Sequence, residues 1–212
     1  MKLFCGFDHR EAQGFGVFLQ SVIRHTRSPF EIIPLTGSVG GTNAFTNCRF
    51  DIPKLCDYKG SAIYLDASDM LCRSDLRGLM DLYDSQMAVQ VVKHNYFTRH
   101  PRKYIGTPME SLNQDYHRKN WSSLIIWNCE FPLHREIDKC RQESGALALH
   151  KFAWLPDERI GELPGEWNHL VGEHEYDPGA KLAHFTLGIP GFDHYKNCDY
   201  SEEWYSFRRG DL

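Results

Sequence analysis

The chain has 212 residues, with 24 basic against 28 acidic side chains and a formal net charge of −4, which argues against a protein that coats nucleic acid by charge alone. Hydrophobic residues make up 42% and charged residues 25%, ordinary globular usage that allows a real core and excludes a wholly disordered chain. No apolar run reaches the length of a bilayer crossing, so the expectation is a soluble protein with one domain over residues 1–212.

Residues 2–7 read as a first buried strand, followed by the turn Asp8-His9-Arg10. Met1 leads straight into that strand, which predicts no leader peptide. Seven cysteines with no C-x-x-C pair then predict reduced thiols and a cytoplasmic setting. Over residues 11–25 the apolar side chains Ala12, Phe15, Leu19, Val22 and Ile23 recur at helical spacing. Glu11 falls in the first turn and Arg24 and His25 in the last, as the helix dipole favours. Residues 30–35 read as a second strand, and strand, helix and strand at this spacing predict a parallel βαβ unit. The glycine-rich stretch 37–43 is expected to be a loop, and residues 45–55 helical around Pro53.

Residues 61–70, SAIYLDASDM, carry the strongest chemical signal. A run of β-forming apolar residues ends in two carboxylates, Asp66 and Asp69, the pattern of a buried strand delivering acids to a sheet edge where open α/β folds bind ligands. Two hard oxygen ligands in one turn suit Mg²⁺ or Mn²⁺, which neutralise a diphosphate. The alternative is that Asp66 ends the strand and Asp69 caps the next turn. Beyond it come a short helix over 76–82 and an apolar strand over 87–92. Residues 93–119 are basic, aromatic and aperiodic, as in a long surface loop. A strand is predicted over 122–127, a helical stretch over 137–152 interrupted near Gly145, a ring-rich irregular segment after Pro156, a late strand over 181–186 and a closing helix over 200–207.

Four segments in order, LFCGFDHREA at 3–12, SAIYLDASDM at 61–70, NWSSLIIWNC at 120–129 and KLAHFTLGIP at 181–190, together resemble a known group. The chain is similar over nearly its whole length to small nucleotide-sugar glycosyltransferases of the GT-A fold, close to glycosyltransferase family 8, including compact bacterial and phage-encoded members. The resemblance implies an α/β, Rossmann-like fold with a mostly parallel central sheet flanked by helices, and an irregular C-terminal segment on the acceptor side. It also implies Mn²⁺ or Mg²⁺ held by Asp66, Asp69 and His184 on the diphosphate of a nucleotide-sugar donor, UDP-linked. One departure stands out: two residues, Ala67 and Ser68, separate the acids where the family has one. Either a bulged turn points both carboxylates inward, or one acts through water. By itself, His184 beside Phe185 reads equally as a satisfied core histidine.

The same resemblance places Phe7 and Asp8 at the base and ribose of the donor, and Lys93 and His94 in part of the sugar pocket. Arg49 offers a contact to phosphate or sugar hydroxyls, against the reading of a solvated helix arginine. Ser122 and Ser123 offer hydrogen bonds to the transferred sugar. Gly188, before Pro190, would let backbone amides approach phosphate closely. Trp167 and Asn168 would floor the acceptor side, although tryptophan is more often core. The acceptor is left open among glycan, protein and modified nucleobase, and so are oligomeric state and stereochemistry. Arg99, Arg102, Lys103, Arg118 and Lys119 either track a phosphate backbone or form a solvated loop, the latter expected from the negative net charge. Two other functions share part of this pattern. A sugar-1-phosphate nucleotidyltransferase calls for a glycine-rich phosphate loop after the first strand, which FDHRE at 7–11 lacks. A nucleotide-sugar-binding module without catalysis would have lost its metal site through the wider acid spacing.

Overall fold

Strands buried on both faces need uninterrupted apolar sequence, and the residues that supply it form the centre of a six-stranded sheet. A computed structural model describes residues 2–37 and 43–210. In chain order it contains β1 (Lys2–Gly6), α1 (Ala12–His25), β2 (Glu31–Leu35), α2 (Ile52–Leu55), β3 (Ser61–Leu65), β4 (Met70–Cys72), α3 (Arg77–Met80) and β5 (Val89–Val91). There follow β6 (Arg102–Lys103), β7 (Ser111–Leu112), β8 (Leu124–Asn128), α4 (Ile137–Ser144), α5 (Ala146–His150), β9 (Ile160–Glu162), β10 (His169–Leu170), β11 (Leu182–His184) and α6 (Ser201–Arg209).

The large sheet runs β2-β1-β3-β8-β5-β9. β1 is parallel to both β2 and β3, and β5 is parallel to β9, while β8 lies antiparallel between β3 and β5. This is the expected mixed α/β, GT-A-like sheet, mostly parallel and flanked by helices. Alternation along β3 sends Ala62 and Tyr64 into one apolar layer with Trp127 and Phe50, and Ile63 and Leu65 into the other with Phe18 and Val22 of α1. A second sheet, β10-β11-β4, packs under α6 through Leu71, Ala183 and Trp204.

Two pairings position the site. Leu65 is level with Cys5 on one side and with Leu124 on the other, so residues following β1 and β3 and residues preceding β8 meet at one edge. In the small sheet β11 runs antiparallel to β4 with His184 opposite Met70, which sets the late histidine beside Asp69.

The local differences from expectation have physical causes. On α1 the buried face is Gly14, Phe15, Val17, Phe18, Ser21 and Val22, whereas Ala12 is exposed and Ile23 is 72% exposed. Small residues belong on that face because the helix lies against the turn after β3: a Cβ on Gly14 would sit 2.1 Å from the Ser68 carbonyl oxygen. Residues 45–55 form turns and a 3₁₀ segment, Cys48–Asp51, with α-helix confined to Ile52–Leu55, whose first turn contains Pro53. Ser122 and Ser123 belong not to β8 but to a 3₁₀ turn, Trp121–Ser123, entered through left-handed Asn120 at φ 63°. The aperiodic segment 93–119 holds a short antiparallel ribbon of β6 and β7. Within the glycine-rich loop predicted at 37–43, residues 38–42 lie outside the described residues.

Candidate metal centre and its cavity

β3 ends at Leu65, and the chain turns through a 3₁₀ segment, Ala67–Asp69, into β4. That turn resolves the wide acid spacing. It curls Asp69 back beside Asp66, and ligand atoms of Asp66, Asp69 and His184 lie within 4.8 Å of one another, the side chains all buried. The turn is held from below by Ser68, whose hydroxyl donates to the Gly6 carbonyl (3.1 Å) and accepts from the Asp8 N–H (3.0 Å).

The two carboxylates are treated differently. Asp66 Oδ1 accepts from the Tyr64 hydroxyl at 2.5 Å and pairs with the Arg49 guanidinium at 2.8 Å, while Arg49 also donates to the carbonyls of Ser122 (2.7 Å) and Thr46 (3.0 Å). Burial pushes the Asp66 carboxyl up, Arg49 opposes this, and Asp69 adds to the rise. Asp69 has one weak bond, from the Tyr104 hydroxyl to Oδ2 at 3.3 Å. Its Oδ1 is buried without a hydrogen-bond partner, 3.4 Å from His184 Nε2. A buried carboxylate oxygen left bare is costly unless a further group completes it.

His184 Nδ1 lies 2.9 Å from Asn168 Oδ1. Asn168 spends its amide hydrogens on His94 Nε2 (3.0 Å) and Ser123 Oγ (2.9 Å), so its oxygen faces His184. This network places a proton on His184 Nδ1 and turns Nε2 toward Asp69, the orientation of a metal-ligating imidazole with its outer nitrogen anchored. Burial drives His94 down to about 3, so it is neutral and able to accept from Asn168. The bare oxygen, the imidazole nitrogen facing it and the anchoring behind both fit a divalent cation.

The three side chains line a cavity of about 380 Å³, within the range of small-molecule sites, together with Arg49, Lys103, Tyr104, Asp115, Lys119, Ser122, Ser123, His150 and Thr186. Ser122 Oγ bonds His150 Nδ1 at 2.7 Å. Burial drives His150 down to about 3, with Arg49 and Lys103 adding to the effect.

Of the residues named from the sequence, the fold brings Arg49, Asp66, Asp69, Lys103, Lys119, Ser122, Ser123 and His184 to this cavity. Others lie elsewhere. Phe7 packs edge-on against Phe15, with ring centroids 5.0 Å apart. Asp8 is buried with its carboxylate bonded to Arg10 and to the Ala44 N–H; burial alone would raise it, but these partners hold it at about 2. Lys93 lies over the Trp121 ring at 5.8 Å, and His94 acts through Asn168. The Gly188 N–H is bonded to the Phe185 carbonyl, and a Cβ there would meet the Tyr195 ring at 2.4 Å, so glycine serves close packing at this position. Gly188 and Pro190 are not among the lining residues. Trp167 does not offer an open face to a sugar: it is 1% exposed in the core, and its neighbour Asn168 holds His184.

The basic cluster also divides. Arg102 pairs with Glu110, Arg118 with Asp157 and Lys119 with Asp115, while Lys103 faces the cavity, so these residues do not form one free basic track.

Sequence reasoning missed Tyr64, Tyr104, Asn43 and Glu11. The first was legible, since Tyr64 lies two residues before Asp66 on the same strand face. The rest form a chain only in three dimensions. The Asn43 amide donates to Glu11 and to the Tyr104 hydroxyl, both at 3.3 Å, and Tyr104 reaches Asp69. Glu11, read as a first-turn carboxylate, is fully buried. Burial first, then Asp69 and Asp8, hold its carboxyl well above the usual range.

Comparison with known proteins fits this geometry. No protein-family model matches the sequence. Among solved structures, the chain superimposes on the galactosyltransferase LgtC in complex with donor and acceptor sugar analogs with a TM-score of 0.63 at 13% identity, covering 100% of this chain and 96% of that one. The apo glycosyltransferase GlyE of Streptococcus pneumoniae TIGR4 gives 0.66 at 14% identity (98% and 59%), and the bifunctional glycosyltransferase WbbM gives 0.64 at 16% (98% and 51%). The chain thus spans about half the length of WbbM and 59% of GlyE. At these identities the likeness establishes the GT-A fold. In sequence, the chain is 34% identical over 224 aligned positions to Protein CDI of Arabidopsis thaliana, covering 96% of this chain and 84% of that protein. The chain belongs to the family of Protein CDI.

Proposed function

We propose that the chain is a glycosyltransferase that moves a sugar from a nucleotide-diphosphate donor, UDP-linked, to an acceptor, using a divalent cation held by Asp66, Asp69 and His184. The observation that carries this reading is the bare, buried Asp69 Oδ1 facing the His184 Nε2 at the wall of a polar cavity. Two carboxylates with one imidazole form a mixed oxygen and nitrogen set that suits Mn²⁺, then Mg²⁺, better than Ca²⁺. When bound, the ion supplies Lewis acidity to a departing diphosphate.

The protein's own groups do the positioning. Arg49 and Tyr64 fix the Asp66 carboxylate, Asn168 fixes the His184 ring, and Ser68 clamps the acid turn to the end of β1. Ser122 and Ser123 lie at the cavity wall, where sugar hydroxyls would find hydrogen-bond partners.

A screen of nucleotide sugars for release of free nucleotide tests the reading. Release should require Mn²⁺ or Mg²⁺, stop with chelator, and fall about 100-fold or more in Asp69→Asn. No release from any nucleotide sugar, with the ion bound, would instead mark a binding module and overturn the transferase.

A further inference from the structure

Lys103 lines the cavity without an ion pair among the described residues, the carboxylates of Asp69, Asp66 and Glu11 acting on it only at longer range. Arg49 is paired with Asp66 and Lys119 with Asp115, but the ammonium of Lys103 has only the Tyr104 ring face, 5.4 Å away. Its inward direction is built in. On the β6–β7 ribbon, alternation sends Arg102 outward to Glu110 (2.6 Å) and Lys103 inward. The next residue anchors the ribbon to the metal site: Tyr104 is 1% exposed, its N–H donates to the Leu187 carbonyl at 2.7 Å, and its hydroxyl reaches Asp69. A lysine side chain loses rotamer freedom when confined in this way, burial disfavours its charge, and the carboxylates that favour it do not reach it as ion-pair partners.

Charge balance indicates what would pair with it. Arg49, Lys103 and Lys119 line the cavity together with Asp66, Asp69 and Asp115, so the formal charges of these six side chains cancel before any ligand enters. A divalent cation at Asp66, Asp69 and His184 leaves the cavity two charges positive and sets a second cation, Lys103, against the first. Those like charges repel unless a multiply charged anion lies between them. A diphosphate has the required charge and enough oxygens to reach both.

Resting on the transferase reading, we infer that Lys103 is a binding residue for the diphosphate of the donor and of the nucleoside diphosphate that leaves, a second cationic partner for it beside the metal ion. The β6–β7 ribbon thereby completes the donor site from a segment that lies outside both sheets bearing the metal ligands.

Binding of inorganic pyrophosphate, measured calorimetrically with and without Mn²⁺, tests this on the intact chain. Wild type should bind Mn²⁺ alone, and pyrophosphate in its presence. Lys103→Met should bind Mn²⁺ alone at least as tightly as wild type, because a repelling charge is gone, which also shows that the variant is folded. It should bind pyrophosphate about tenfold or more weakly, with most of the affinity restored in Lys103→Arg. Equal pyrophosphate affinity in wild type and Lys103→Met would overturn the assignment of Lys103 alone. Wild type that binds no pyrophosphate in the presence of Mn²⁺ would overturn both this inference and the transferase reading.

Discussion

The edge of the large sheet and the small sheet below it each contribute to the candidate metal centre, and they are finished to different degrees. At the large-sheet edge, Asp66 is braced by Tyr64 and Arg49, with its charge balanced inside the protein. On the small-sheet side, His184 of β11 is braced by Asn168, while Asp69, just before β4, keeps a bare buried oxygen. A carboxylate satisfied by the protein serves to orient; a carboxylate left in deficit serves to bind. Having both in one turn gives a site that is shaped in advance yet incomplete without an added cation.

Breaking the balanced side should cost the most stability. Arg49→Met leaves Asp66 buried without its counter-charge, a loss of about 3–5 kcal/mol in unfolding free energy. Chemical denaturation measures it, and Asp66→Asn placed on the Arg49→Met background should recover part of the loss. Recovery is the decisive feature, because a variant that merely lost packing would not be rescued by removing a charge.

Disturbing the brace on the other side should show in ion affinity. Asn168→Ala frees the His184 ring and is expected to weaken Mn²⁺ binding about 10- to 100-fold, as loss of an outer partner of a metal histidine does elsewhere. If Asn168→Ala binds Mn²⁺ like wild type, the pre-oriented imidazole is not part of the site.

The smallest effect comes from buried histidines, tested at one that lies away from both regions. His94 and His150 are held down to about 3 and His134 to about 4, each chiefly by burial, so all three are neutral when folded. Unfolded, each titrates near its ordinary value of about 6.5. Between that pH and about 3 the unfolded chain binds more protons, so stability should fall as pH drops through this window. His134 lies outside the cavity, bonded to the Ala88 carbonyl (3.2 Å) and near Trp154 Nε1 (3.4 Å). His134→Gln should make the decline of stability between pH 6 and 4 shallower while leaving Mn²⁺ binding unchanged.

What the sequence made legible follows from what each residue obeys. β3 and its terminal acids could be read because a buried strand demands an apolar run, and a run that stops at two carboxylates is a local pattern. His184 became readable through the resemblance and the segment around it. α1 was found by its periodicity, but its buried face was misjudged at Ala12 and Ile23. Close approach to the Ser68 turn selects glycine at position 14, and Ser21 accepts from the Cys72 N–H of β4, neither of which apolar counting registers. The roles of Tyr104, Asn43 and Glu11, and the separation of Lys103 from the rest of its basic cluster, escaped for a different reason. Their association depends on how the β6–β7 ribbon and the start of α1 dock on the site, and no short-range period encodes it. Trp167 was assigned to a sugar platform because a ring has the same sequence signature whether it faces a ligand or the core.

The central claim is that Asp66, Asp69 and His184 share one divalent ion, and Mn²⁺ binding without nucleotide tests it most directly. Free Mn²⁺ followed by electron paramagnetic resonance should show one ion bound per wild-type chain and none at the same concentrations in Asp69→Asn. That variant should keep its circular dichroism, since asparagine still accepts from Tyr104. Equal binding by the two proteins would contradict the account.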